Sequence, residues 1–179
     1  AMQSEKQRVY EKIELKFEKD CFKLIQARDW EKLEVLSVEQ LDTCKGKSSK
    51  GFFYLGVALY KMDCCDQAIK AYQKSNDLFP SDPQLHYNIG LAYFKDEQYT
   101  LAVEHLKLCT QMDPTNVYAY NNLAFIYNMH QYYQETINVC NTAKMQIDKQ
   151  IRAKRATEQK SLGGNSSNGD SLSVRSGDD

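Results

Sequence analysis

Residues 82–114 read DPQLHYNIGLAYFKDEQYTLAVEHLKLCTQMDP, and the pattern inside this stretch recurs on both sides of it. Gly90 and Ala102 lack bulk, so two helices meeting at them approach closely, while Ile89, Tyr93 and Leu106 fill the space beside that contact. Asp96 to Gln98 supply a polar turn between the helices. Asp113 and Pro114 close the unit, because proline disfavours helix in the residue before it and breaks a helix from within. The stretch reads as one complete helix-turn-helix unit.

Moving back 34 residues from Gly90 reaches Gly56, inside the series Phe52, Leu55, Gly56, Leu59, Ala68, Tyr72 and Pro80. Pro80 and Pro114 are likewise 34 residues apart. Moving forward finds Tyr120, Leu123, Ala124, Tyr127, Thr136, Cys140 and Ala143, with Ala124 in the glycine slot and no closing proline. Three tandem copies at one period resemble the tetratricopeptide repeat (TPR) family, whose signature spacing His86, Ile89, Gly90, Tyr93, Ala102, Leu106 and Pro114 follow. The resemblance implies an all-α fold, a right-handed α-solenoid of helix-turn-helix repeats in which each pair buries its faces on the next.

The pattern predicts first helices near residues 50–62, 83–95 and 117–129, and second helices near 65–78, 99–112 and from 133 onward. Three repeats are expected at 49–82, 83–116 and 117–150, within a segment 49–160 that ends in an extended helix. Upstream, Tyr10, Ile13, Phe17, Cys21 and Leu24 mark one apolar stripe on a helix running from Ser4 to about Arg28. Asp29 then caps a shorter helix carrying Trp30, Leu33, Leu36 and Leu41. Residues 4–48 form a divergent TPR-like pair, because Phe22 and Leu33 stand near its small-residue positions. The last helix meets no proline or glycine before Lys160, and residues 144–160 hold six basic and two acidic side chains, a local charge of +4. Residues 161–179, SLGGNSSNGDSLSVRSGDD, have little to bury and are expected to be a disordered tail.

A hydrophobic content of 42% suffices for a packed core, and a net charge of −1 gives no global attraction to nucleic acid or anionic membrane. No apolar run reaches membrane-spanning length, and the amino terminus, AMQSEKQRVY, is charged where a signal peptide is apolar. These features predict a cytoplasmic protein. Six cysteines (Cys21, Cys44, Cys64, Cys65, Cys109 and Cys140) show no metal-ligand spacing and are expected to be reduced thiols, mostly small core fillers. No phosphate-binding glycine loop, histidine metal pair or nucleophile elbow is present, and His86, His105 and His130 do not cluster in sequence. No catalytic residue, metal or cofactor is expected.

In the TPR family the first helices line a concave face, and by that resemblance the inward positions are Phe53, Val57 and Tyr60, then Tyr87, Leu91 and Phe94, then Asn121, Phe125 and Asn128. Asn88 and Asn122 share one slot in successive repeats, where related proteins hold a peptide backbone with an amide that both donates and accepts. The expected function is non-enzymatic: a protein-interaction adaptor whose aromatic groove takes an extended or helical segment of a partner. Chaperone-tail binding is disfavoured, since the positions of the family's basic carboxylate clamp hold Phe53, Val57, Asn88, Tyr118 and Asn122, and only Asn88 matches. One alternative is an oligomeric structural subunit that packs its aromatic face, or its end around Ile147 and Ile151, on another copy or a larger assembly. The last is RNA binding through Lys149, Arg152, Lys154 and Arg155.

Overall fold

Polar turns and prolines at the repeat interval delimit eight α-helices, with no strand, among the described residues 2–163 of this computed structural model. They are α1 (Met2–Ala27), α2 (Trp30–Thr43), α3 (Ser49–Lys61), α4 (Cys65–Leu78), α5 (Pro83–Lys95), α6 (Tyr99–Met112), α7 (Val117–Met129) and α8 (Tyr133–Gly163). Each packs on the next in chain order, and α3 also touches α5, giving an all-α stack of the α-solenoid kind. The tail expected at 161–179 lies outside the described residues, apart from its first three positions, which continue α8.

Helix starts follow the capping chemistry. The Asp29 carboxylate accepts from the backbone N–H of Lys32 at 3.2 Å, Ser48 from Gly51 at 2.9 Å, Asp82 from Gln84 at 2.9 Å, and Asn116 from Ala119 at 3.0 Å. Each satisfies one of the unpaired N–H groups of a first turn. Pro83 opens α5, where its missing N–H costs nothing.

The turns inside the hairpins share a geometry that no glycine announces. Arg28, Asp63, Glu97 and Gln131 follow α1, α3, α5 and α7 with φ of 55°, 69°, 61° and 63°, in the left-handed region. The next residue in each case bonds back across the turn: Asp29 N to Leu24 O at 3.0 Å, Cys64 N to Leu59 O at 2.9 Å, Gln98 N to Tyr93 O at 2.9 Å and Tyr132 N to Tyr127 O at 2.8 Å. This is the Schellman closure, built four times from charged or polar side chains.

The core depends on the small slots. A Cβ on Gly56 would lie 2.5 Å from the Tyr72 ring, and one on Gly90 would lie 2.8 Å from Leu106 Cγ. In the third copy the equivalent positions hold Ala124, larger than the glycines, and Cys140, smaller than Tyr72 and Leu106. A continuous cluster runs from Leu59 through Ile89, Ala102, Leu106 and Cys109 to Leu123 and Ile126, and a second joins Phe17, Cys21, Leu33 and Ala58.

Two expectations need correction. Only Cys21 and Cys109 are buried; Cys44 and Cys65 are half-buried, and Cys64 and Cys140 are exposed, so the free thiols are not mostly core fillers. Cys64 sits at the N-cap of α4, and Cys140 lies on α8, the last helix among the described residues. The stripe on α1 is buried at Phe17 and Cys21 but exposed at Tyr10 and Ile13, because α1 has 26 residues and the α2 packed against it has 14. Phe22 is exposed rather than set in a close-packed slot, whereas Leu33 is fully buried.

Substituting Gly56→Ala is expected to destabilise the fold by about 1–2 kcal/mol in urea unfolding, since overpacking against a buried ring outweighs the helix propensity gained. Glu97→Gly should instead stabilise it by about 0.5–1 kcal/mol, by removing the left-handed strain of a side-chain-bearing residue.

Candidate protein interaction surfaces

The first helices α3, α5 and α7 share one face, and contacts between successive helices tie them together. Lys95 on α5 pairs with Asp63 at 2.5 Å, lies 5.0 Å from the Tyr60 ring centroid on α3, and donates to the Tyr60 carbonyl at 3.4 Å. Asn122 on α7 donates through Nδ2 to its own helix at Tyr118 O, 2.9 Å, and to Tyr87 Oη on α5 at 3.4 Å. Phe94 and Phe125 meet edge to face with centroids 5.8 Å apart. Burial raises the phenol pKa of Tyr60 and Tyr87 above the usual range; Lys95 opposes the shift in the first and the Asn122 hydrogen bond in the second.

The structure thus brings Tyr60, Tyr87, Phe94, Asn122 and Phe125 together on one surface. Asn88 is half-buried and accepts from Gln84 Nε2 at 3.3 Å through Oδ1, while Leu91 is half-buried beside it. Asn121 and Asn128 are exposed on α7. Phe53 packs edge to face on Tyr54 with centroids 5.2 Å apart, and Val57 packs against both core clusters, so these two are committed largely to the interior.

Two clefts lie away from this face. One of about 660 Å³, lined by Tyr99, Leu101, Val103, Lys107, Tyr127 and Tyr132, runs between α6 and the turn after α7. Another of about 620 Å³, lined by Lys47, Lys50, Phe53, Tyr54, Leu78 and Phe79, lies where α1 meets α3 and the end of α4. Of the residues predicted for the groove, only Phe53 borders either cleft. Lys50 there is paired with Glu18 at 3.0 Å and Glu14 at 3.7 Å. Loops and helix ends from neighbouring repeats build both clefts, which a repeat pattern does not register.

Sequence reading also missed a histidine pair. His86 of α5 is buried, and its Nδ1 stands 3.0 Å from His105 Nδ1 of α6, with the rings stacked at 5.3 Å. Tyr93 stacks on the other side of His105 at 5.6 Å, and its hydroxyl accepts from Gln73 Nε2 at 2.9 Å. One imidazole donates and the other accepts, so the bond requires that one ring be neutral. Burial first, and then repulsion from His86, pushes His105 down to about 4. Among the described residues no three His, Cys, Asp or Glu side chains converge to hold a metal, and the pair acts as a lock between α5 and α6. No described helix is long and apolar enough to cross a membrane.

Comparison with known proteins agrees with this geometry. The family descriptions "TPR repeat" and "Tetratricopeptide repeat" match residues 65–97 and 83–116. The Drosophila melanogaster "BBSome complex member BBS4 homolog" is 31% identical over 100 residues, which is 56% of this chain and 20% of that protein. The chain therefore spans about a fifth of the length of that relative. Among solved structures, "MamA RS-1 ArsTM double mutant" superposes with a TM-score of 0.67 at 17% identity, covering 75% of each chain. "First TPR of Spaghetti (RPAP3) bound to HSP90 peptide SRMEEVD" gives 0.61 at 14% identity, covering 65% of this chain and 92% of that one. At these identities the structural likeness is one of fold alone. The class defined by fold and surface is a helical-repeat protein capable of protein–protein interaction. Within that class residues 65–116 match the tetratricopeptide repeat family, in an all-α repeat architecture.

The histidine lock makes stability depend on pH with a defined sign. The folded pKa of His105 lies below its ordinary 6.5, so the stabilisation is complete above that value and is lost as pH falls towards about 4. Because the ring keeps some contact with water, the loss is on the order of 2 kcal/mol. Urea midpoints measured across this range should fall steeply for the native chain and less steeply for His105→Phe.

Proposed function

We propose that the chain is a non-enzymatic interaction module that serves as a subunit of a multi-protein assembly. The observation that carries this reading is that the last repeat exposes what its predecessors bury. Leu106 of α6 is 0% exposed, whereas Cys140, at the same slot of α8, is exposed. On the last two described helices Tyr118 at 72%, Phe125 at 57%, Tyr133 at 60% and Ile137 at 53% exposure also stand out. Burying one such side chain contributes roughly 1.5–3 kcal/mol, so a partner covering several gains a substantial driving force. The name of the Drosophila relative, a complex member, supports the same role. Free thiols are in keeping with the reducing cytoplasm, where we place the module.

A second reading keeps the first-helix face as a peptide groove. The aromatic and amide surface of Tyr87, Asn88, Phe94, Asn122 and Phe125 supports it, as does the peptide-bound TPR structure of the same fold. Asn122 already spends Nδ2 donors within the scaffold, so its amide offers a peptide less than an unpaired one would. The near absence of basic clamp residues argues against an acidic chaperone tail as the ligand, and the basic α8 supports RNA binding least.

Native size fractionation of a cell lysate tests the assembly reading. The chain should elute in a complex well above its own 20.7 kDa, and a folded Tyr133→Asp, Ile137→Asp variant should shift to the free position. Elution of the native chain only as a free species contradicts it. For the groove, Asn88→Ala with Asn122→Ala should weaken a captured peptide by about tenfold while leaving the helical circular dichroism intact, and unchanged affinity rejects that site.

A further inference from the structure

α8 has 31 residues against the 13 of α7, so from Ile147 to Lys160 every side chain is exposed. Ile147 and Ile151 lie one turn apart on one face, and Ile137 and Cys140 lead into the same stripe. Lys144, Lys149, Arg152, Lys154 and Arg155 flank it. At the far end of the stack α2 presents the converse surface. Its Leu33, Ser37 and Leu41 are buried, while Val35 and Val38 stand 57% and 42% exposed. Beside these two valines lie Glu31, Glu34, Glu39 and Asp42, none of which has an ion-pair partner among the described residues. With four acidic residues and one basic residue, α2 carries −3, whereas residues 144–160 carry six basic and two acidic residues, or +4.

We infer that α8 of one molecule docks on α2 of a second copy, with Ile147 and Ile151 against Val35 and Val38 and the basic flanks against the acidic ones. The inference rests on the assembly reading and names one of its contacts. Two amphipathic helices of opposite charge meet, each bringing apolar side chains left exposed among the described residues. Pairing α8 with α8 would set like charges together, so the complementary pairing is favoured over the symmetric one. The two patches differ and sit at opposite ends of the stack. Each added copy therefore keeps one free α8 and one free α2, and association lengthens instead of closing at a dimer. Four β-branched side chains bury little area, so attraction between the charges sets the strength and salt weakens it.

Sedimentation velocity of the full chain over a concentration series tests this contact. At about 50 mM salt the average mass should rise with concentration past that of a dimer, and at about 500 mM it should return to the monomer. Ile147→Asp with Ile151→Asp should abolish the rise. Arg152→Glu with Arg155→Glu should weaken association at least tenfold, and adding Glu34→Lys and Glu39→Lys to that chain should restore it. All these positions are at least partly exposed, and circular dichroism checks that the variants remain helical. The inference is overturned by a native chain that stays monomeric throughout, by a mass that stops at a dimer, by reversal variants that associate like the native chain, or by a charge-swapped chain that fails to recover. A monomeric native chain would leave the wider assembly reading to the lysate fractionation, which can succeed or fail without self-association.

Discussion

The close approach of paired helices at Gly56 and Gly90 is the constraint on which the stack depends. With no Cβ at these positions, Tyr72 and Leu106 reach across and fill the space that a methyl group would occupy. The third copy changes both positions together, with a methyl at Ala124 and a smaller, exposed thiol at Cys140. Slot sizes are therefore set jointly, and each filled slot gives the next first helix a surface on which to pack. The unbroken cluster from Leu59 to Ile126 is the result.

A structure built from neighbour contacts has well-satisfied middles and needy ends. Here the middle is reinforced by the His86–His105 bond and by the Tyr93 ring stacked upon it. The ends are different. α1 and α8 are twice as long as the helices they pack against, or nearly so, and carry exposed apolar side chains such as Tyr10 and Ile151. The same architecture thus leaves exposed apolar surface on its first and last described helices. On this account function follows from incompleteness of packing, with no reactive group required.

Much of the fold was legible because the pattern is periodic and its punctuation chemical. Asp29, Asp82 and the prolines mark boundaries through capping and missing N–H groups, and the absence of any breaker after Ala143 foretold the length of α8. The left-handed turns at Glu97 and Gln131 were not legible, since the hydrogen-bonded closure of the helix end holds there residues that have no intrinsic preference for positive φ. The histidine pair was hidden for a related reason: a contact between two helices depends on register across the hairpin, not on spacing along the chain. At the candidate groove, residue types pointed to an aromatic face, but the internal bonds of Asn88 and Asn122 emerge only from geometry. Exposure at the end of the stack could be read only once the buried slots of earlier repeats were available for comparison.

Hydrogen exchange of the dilute chain, resolved by segment, tests most directly whether neighbour packing governs this molecule. The account predicts slowest exchange in α4, α5 and α6, intermediate exchange in α7 and the start of α8, and exchange after residue 147 close to that of an isolated helix. Equal protection along the whole of α8, or a single opening rate shared by every helix, would contradict it.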